Sequence, residues 1–97
     1  MANVCQNSMF VQSEDSRNLD HIEKFMKEWT YVDIESTDDE ILEIYFDSRW
    51  DFPIDEMNKM VENLPNKDDI YIRVLSVEYG EYYCAFHVYD GESWECM

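Results

Sequence analysis

Eleven carboxylates lie between Glu28 and Glu56, namely Glu28, Asp33, Glu35, Asp38, Asp39, Glu40, Glu43, Asp47, Asp51, Asp55 and Glu56, against the single cation Arg49. The local balance of -10 is the largest part of a net charge of -16; residues 1–27 contribute -1, residues 57–77 contribute 0 and residues 78–97 contribute -5. Carboxylates so crowded could bind a divalent cation, act as general acid and base, or present an anionic surface. Cation binding or acid–base work by Asp38 with Glu40, or by Asp55 with Glu56, needs a pocket that shifts pKa values, and a pair on a turn in water does not supply one. The EF-hand pattern needs a glycine inside the acidic loop, and the chain has only Gly80 and Gly91, far from these acids. The same two glycines exclude a phosphate-cradling glycine-rich loop. An anionic surface is the chemistry that remains.

Other reactive side chains are sparse. Cys5, Cys84, Cys96, His21 and His87 have no C-x2-C or H-x3-H spacing, so they do not compose a zinc site, and Cys5 and Cys84 are expected as small buried hydrophobes. His87 falls in the phase of an exposed strand face and His21 is expected in solvent near the start of a helix. No nucleophile elbow or Ser/His/Asp order is visible. The expectation is a protein without catalytic residues, metal or cofactor.

The bulk composition sets bounds on the partner. Net charge of -16 removes the counterion-release term behind non-specific nucleic-acid binding and disfavours an acidic membrane surface. No apolar run approaches the ~20 residues of a membrane span, and the first residues lack a cationic segment before an apolar one. Three widely spaced cysteines fit reduced thiols, so a cytoplasmic location is expected. At 45% apolar and 15% aromatic, the chain has too much to bury to remain disordered, and its 97 residues fit one domain.

The elements that must position the acids follow from hydrophobic period. Residues 4–12 read as a strand with Met9 and Val11 on one face and Phe10 on the other. Leu19, Ile22, Phe25, Met26 and Trp29 recur at helical spacing from about Ser16 to Trp29, after a Ser/Asp-rich stretch able to cap a helix. Val32 and Ile34, then Leu42, Ile44 and Phe46, alternate with polar residues around a polar turn at Ser36 to Glu40, which predicts a hairpin over 31–47. Met57, Met60, Val61 and Leu64 form a second helical stripe between Pro53 and Pro65. A second hairpin pairs Ile70 to Leu75 with Tyr82 to Tyr89 through a turn at Glu78 to Glu81, and the residues after Gly91 are expected as a frayed tail or a Trp94 anchor.

The order β-α-β-β-α-β-β predicts an α+β sandwich of ferredoxin-like type, a mainly antiparallel sheet with both helices on one face and strand order 5-4-1-3-2. Alternation sends Asp33, Glu35, Glu43, Tyr45 and Asp47 to the open face while Val32, Ile34, Leu42, Ile44 and Phe46 meet the helices. Tyr31, Tyr45, Tyr71, Tyr83 and Tyr89 are assigned to the same open face. Tyrosines on a sheet resemble a base-stacking platform, but such platforms need basic residues along the backbone track, and only Arg73 is at hand; among acids they suit a protein interface better.

The opening Met1-Ala2-Asn3-x-Cys5-x-Asn7, followed by a short strand, a helix and a late Tyr- and Gly-containing hairpin, resembles the ferredoxin-like domain of uncharacterised proteins carried on plasmids and phages, which have Trp in the place of Val4. The resemblance implies the fold and a mobile-element origin, and no site residues. In charge and size the chain is also similar to small acidic proteins that mimic nucleic acid, among them phage anti-restriction and anti-CRISPR inhibitors.

These readings converge on a non-enzymatic binding protein whose acids occupy a Lys/Arg-rich groove that a nuclease or other defence factor uses for nucleic acid. The expected contact residues are Asp33, Glu35, Asp38, Asp39, Glu40, Glu43, Tyr45, Asp47, Asp51, Asp55 and Glu56. An alternative from another class is an assembly module that dimerises through the open tyrosine face, with the acids left in solvent. A small metal-dependent hydrolase is a third reading, distinguished by a divalent ion retained through dialysis.

Overall fold

The computed structural model of the protein describes residues 4–49, 51–78, 80 and 83–97. The expectations placed on Met1 to Asn3, and on Tyr79, Glu81 and Tyr82 in the second hairpin, lie outside the described residues. The elements are β1 (Val4–Gln12), α1 (Ser16–Trp29), β2 (Val32–Asp38), β3 (Ile41–Arg49), α2 (Ile54–Glu62), β4 (Tyr71–Glu78), β5 (Tyr83–Tyr89) and β6 (Trp94–Cys96).

Each element follows from local chemistry. Asp15 caps α1 by accepting the Arg17 amide, and the Arg17 guanidinium, 2.7 Å from the same carboxylate, holds the Asp15 carboxyl well below the usual carboxylate range. Leu19, Ile22 and Met26 form the buried stripe of this helix. In α2, Met57, Met60 and Val61 are buried, while Asp55 and Glu56 occupy the first turn, where the helix dipole favours negative charge. The half-buried His21 is not in solvent as expected: its Nε2 lies 2.8 Å from the Met60 carbonyl oxygen and ties α1 to α2.

All strands pair antiparallel in one sheet of order β2-β3-β1-β4-β5-β6. This differs from the expected 5-4-1-3-2: read from the other edge it is 6-5-4-1-3-2, with a strand added outside β5. Met9, Val11, Leu42, Ile44, Phe46, Ile72, Val74 and Tyr89 from the sheet join the stripes of both helices in a single buried cluster, so both helices lie on one face. Val32 and Ile34 pack against its margin. The class is α+β. No helix among the described residues is long and apolar enough to cross a membrane.

Three departures have physical causes. First, the polar turn expected over Ser36 to Glu40 is shorter: Asp38 pairs with Ile41, a register irregularity between Glu35 and Asp38 absorbs the extra residue, and Asp38 Oδ1 accepts the Glu40 amide at 2.7 Å. Second, of the two expectations for the C-terminal residues the Trp94 anchor holds and adds a strand: β6 forms because Trp94 packs on Phe52 and Tyr89 (ring centroids 5.2 and 5.4 Å) and Met97 donates to the Phe86 carbonyl at 2.8 Å. Gly91, at φ 105°, turns the chain into that strand. A Cβ there would run into the Lys67 carbonyl oxygen, so Gly91→Ala is expected to destabilise by more than about 1 kcal/mol, read as a lower urea midpoint with unchanged m.

Third, Tyr83, His87 and Tyr89 face the helices. Tyr89 stands opposite Ile72, His87 opposite Val74 and Tyr83 opposite Glu78, and directly opposed residues share a face. The error has a simple source: a strand that is apolar or aromatic at nearly every position carries no period-two signal to fix its phase. Cys84, expected in the core, is exposed for the same reason, opposite Val77 on the other face. Cys5 is fully buried, and burial pushes its thiol pKa up.

The His87 ring stacks on Phe52 at 3.8 Å between centroids, and its Nδ1 has no hydrogen-bond partner among the described residues. Burial lowers its pKa, so the unfolded chain takes up the proton first and stability declines as pH falls below about 6.5. Replacing His87 by Phe is expected to flatten the denaturation midpoint between about pH 6.5 and 5. Thermal melts across that range check it; a slope equal to wild type refutes it.

Candidate acidic face

β3 and β1 set the site because their registers stack side chains in rows across the uncovered face of the sheet. One row runs Asp33, Tyr45, Ser8, Leu75, Phe86; the next runs Glu35, Glu43, Phe10, Arg73, Val88. Asp47 sits beside Gln6 in a third. Within one strand, successive acids on this face lie about 6.6 to 6.8 Å apart. Glu35 and Glu43 stand directly opposite, an arrangement that brings like charges to Cβ separations of about 5 Å and destabilises a sheet.

Nothing among the described residues neutralises them. The ion pairs there are Arg17–Asp15, Lys27–Glu23 and Lys59–Glu56, none on this face. Two cations share the face: Arg49, exposed at the end of β3 one same-face step beyond Asp47, and Arg73, whose guanidinium carbon lies 4.1 Å over the Phe10 ring and 6.0 Å from that of Tyr71. The Tyr45 hydroxyl donates to Glu43 at 3.4 Å, and the Glu43 carboxylate, followed by burial and the Glu35 carboxylate, raises its pKa. Asp33, Tyr45 and Asp47 share the wall of an open hollow of about 410 Å³, with Tyr31, 84% exposed, on its rim.

The eleven predicted contact residues do not form one surface. Asp33, Glu35, Glu43, Tyr45 and Asp47 are together on the open face, as alternation predicts. Asp38, Asp39 and Glu40 lie at the β2–β3 turn, beside the end of β1, where the Ser13 amide donates to the Glu40 carbonyl. Asp51, Asp55 and Glu56 follow the far end of β3, a nine-residue strand roughly 27 Å long. Asp55 and Glu56 belong to α2, in the layer on the other side of the sheet, and Glu56 is 3.6 Å from Lys59. Among the described residues no three His, Cys, Asp or Glu side chains are grouped to hold a metal ion.

Sequence reasoning missed what holds the acidic rows flat. Asn7, 2% exposed, donates to Ser48 Oγ at 2.9 Å and to the Phe46 and Cys5 carbonyls at 3.3 Å, and accepts from Ser76 Oγ at 2.7 Å. It thus fixes the two residues flanking Asp47 and links β3 to β4 through β1. Asn at a core-facing position of a strand is the signal, since a buried amide must find partners.

Comparison with known proteins finds no matching family model, no matching curated protein and no matching solved structure.

Proposed function

We propose that this chain is a non-enzymatic, ferredoxin-like binding domain whose acidic face enters a Lys/Arg-rich groove of another protein, one built to hold nucleic acid. It acts there as a nucleic-acid mimic and inhibitor, in the manner of phage or mobile-element anti-restriction and anti-CRISPR proteins, in the cytoplasm. The reading rests on one observation: Glu35 and Glu43 face each other, with Asp33 and Asp47 beside them, and no cation pairs with any of the four among the described residues. A fold under no other demand would place a lysine at one of these exposed positions and remove the repulsion. A basic groove would relieve it on binding, and a double row of anions on a stiff hairpin suits a site made for a phosphate backbone.

Two of the predicted groups are peripheral to this contact. The turn acids Asp38, Asp39 and Glu40 extend the field at one end, whereas Asp55 and Glu56 face away with α2. Immobilised protein is expected to retain nucleic-acid-binding proteins from a host lysate at low salt and release them at about 0.5 M salt, where screening lengths fall to roughly 4 Å, or on addition of duplex DNA. Retention that ignores both salt and DNA refutes the proposal.

A further inference from the structure

The open face has two unlike halves. Its β2 and β3 columns carry Asp33, Glu35, Glu43 and Asp47, whereas the β4 and β5 columns carry Leu75, Val77, Phe86 and Val88. Both helices lie on the opposite side of the sheet, so among the described residues no element layers this one. Leu75 is 42% exposed, and Tyr45, at the border between the halves, is 41% exposed. Between them lies a hollow of about 240 Å³ lined by Phe10, Leu75 and Phe86, with the Arg73 guanidinium over the Phe10 ring, and by Glu43 and Tyr45 on its acidic side. A pure phosphate mimic has no use for that apolar floor.

We infer that the segment this face receives is an amphipathic helix of another protein, with an apolar side chain seated in the hollow between Phe10, Leu75 and Phe86 and a Lys/Arg flank lying over Glu43, Glu35 and Asp33. The inference rests on the acidic-face reading above and adds the anchor. The dimensions fit: strands are about 4.8 Å apart, so Phe10 on β1, Leu75 on β4 and Phe86 on β5 span roughly 10 Å, the width of a helix with its side chains. Lys and Arg stems on the flank then reach the β3 and β2 acids a further 5 to 10 Å away while their methylenes cover Tyr45. Charge complementarity decides against a second copy as the occupant. A two-fold axis along the strands lays each acidic half on the other's apolar half, and one across the strands lays acid on acid; each copy brings two cations of this face, Arg49 and Arg73, to the carboxylates of Asp33, Glu35, Glu43 and Asp47.

The test uses two synthetic peptides of equal length and equal lysine count, an 18-residue Leu/Lys amphipathic helix and an 18-residue Lys/Ser peptide, titrated by fluorescence anisotropy at low salt. Wild type is expected to bind the Leu/Lys peptide at least tenfold more tightly. Leu75→Ser should bring that ratio near one and leave the Lys/Ser affinity unchanged, and Leu75→Met should keep it; circular dichroism melts verify that both variants fold. Equal affinities for wild type, or a ratio unmoved in folded Leu75→Ser, overturn the anchor. A dimer in sedimentation that Leu75→Ser dissociates also overturns it, by assigning the face to a second copy. Glu35→Lys/Glu43→Lys separates the two readings: it should weaken both peptides at least tenfold. If it weakens both while wild type shows no preference, the anchor alone fails; if it weakens neither, the acidic-face reading fails.

Discussion

A chain carrying Glu35→Lys, Glu43→Lys and Asp47→Lys is expected to lose its basic partner, and the single reversal Glu35→Lys is expected to make the fold more stable at low salt. Three reversals move the net charge from -16 to -10 and replace an anionic face by a mixed one. Charge juxtaposed with like charge costs several kcal/mol at an interface, so affinity should fall by at least a hundredfold. Glu35→Lys alone, which keeps Glu43, turns the Glu35–Glu43 repulsion into an opposed pair of unlike sign, worth about 0.2 to 1 kcal/mol in a sheet. The thermal midpoint of Glu35→Lys at low ionic strength should therefore rise by a few degrees, and the gain should shrink as salt screens it. Stability up and binding lost is the signature of residues retained for a partner at the fold's expense. A midpoint that falls would instead mean that these carboxylates hold the hairpin together.

Replacing Asn7 by Ala is expected to be the most damaging single polar change, at about 3 kcal/mol. The amide serves Ser48, Ser76 and the Phe46 and Cys5 carbonyls from a site with almost no solvent, and each buried group left without a partner costs about 1 to 3 kcal/mol. Part of that is recovered through ladder bonds the carbonyls already make, which is why the sum stays below the simple total. Urea denaturation measures it, with m unchanged. A shift below about 1 kcal/mol would show that the serines find new partners. Because Phe46 and Ser48 flank Asp47, the variant should also weaken partner binding, though far less than the triple reversal.

How much of this was legible before the fold was seen depended on how cleanly each segment alternates. In the first hairpin, Val32, Ile34, Leu42, Ile44 and Phe46 interleave with acids, and the period alone placed Asp33, Glu35, Glu43, Tyr45 and Asp47 on one face. In β5 the run from Tyr83 to Tyr89 offers no polar phase, and the face of His87, Tyr83, Tyr89 and Cys84 had to come from the pairing with β4. Proximity along the chain misled in a second way: Asp51, Asp55 and Glu56 are near Asp47 in sequence, yet the chain leaves the sheet after Arg49 and carries two of them into the helix layer. Asn7 reaches Phe46 and Ser76, 39 and 69 residues away, and the hollow joins Phe10 to Leu75 and Phe86, 65 and 76 residues away, which no local pattern encodes. β6 depends on Trp94 reaching Phe52 and Tyr89, a tertiary contact again.

The association rate with a partner protein retained from lysate, followed against ionic strength for wild type and for Glu35→Lys/Glu43→Lys/Asp47→Lys, tests the central claim most directly. Unneutralised carboxylates gathered on one sheet face should steer encounter, so the wild-type rate is predicted to drop at least tenfold between about 0.02 and 0.5 M salt, while the variant associates slowly with a flat salt profile. Equal rates and equal salt slopes for the two proteins would contradict the account.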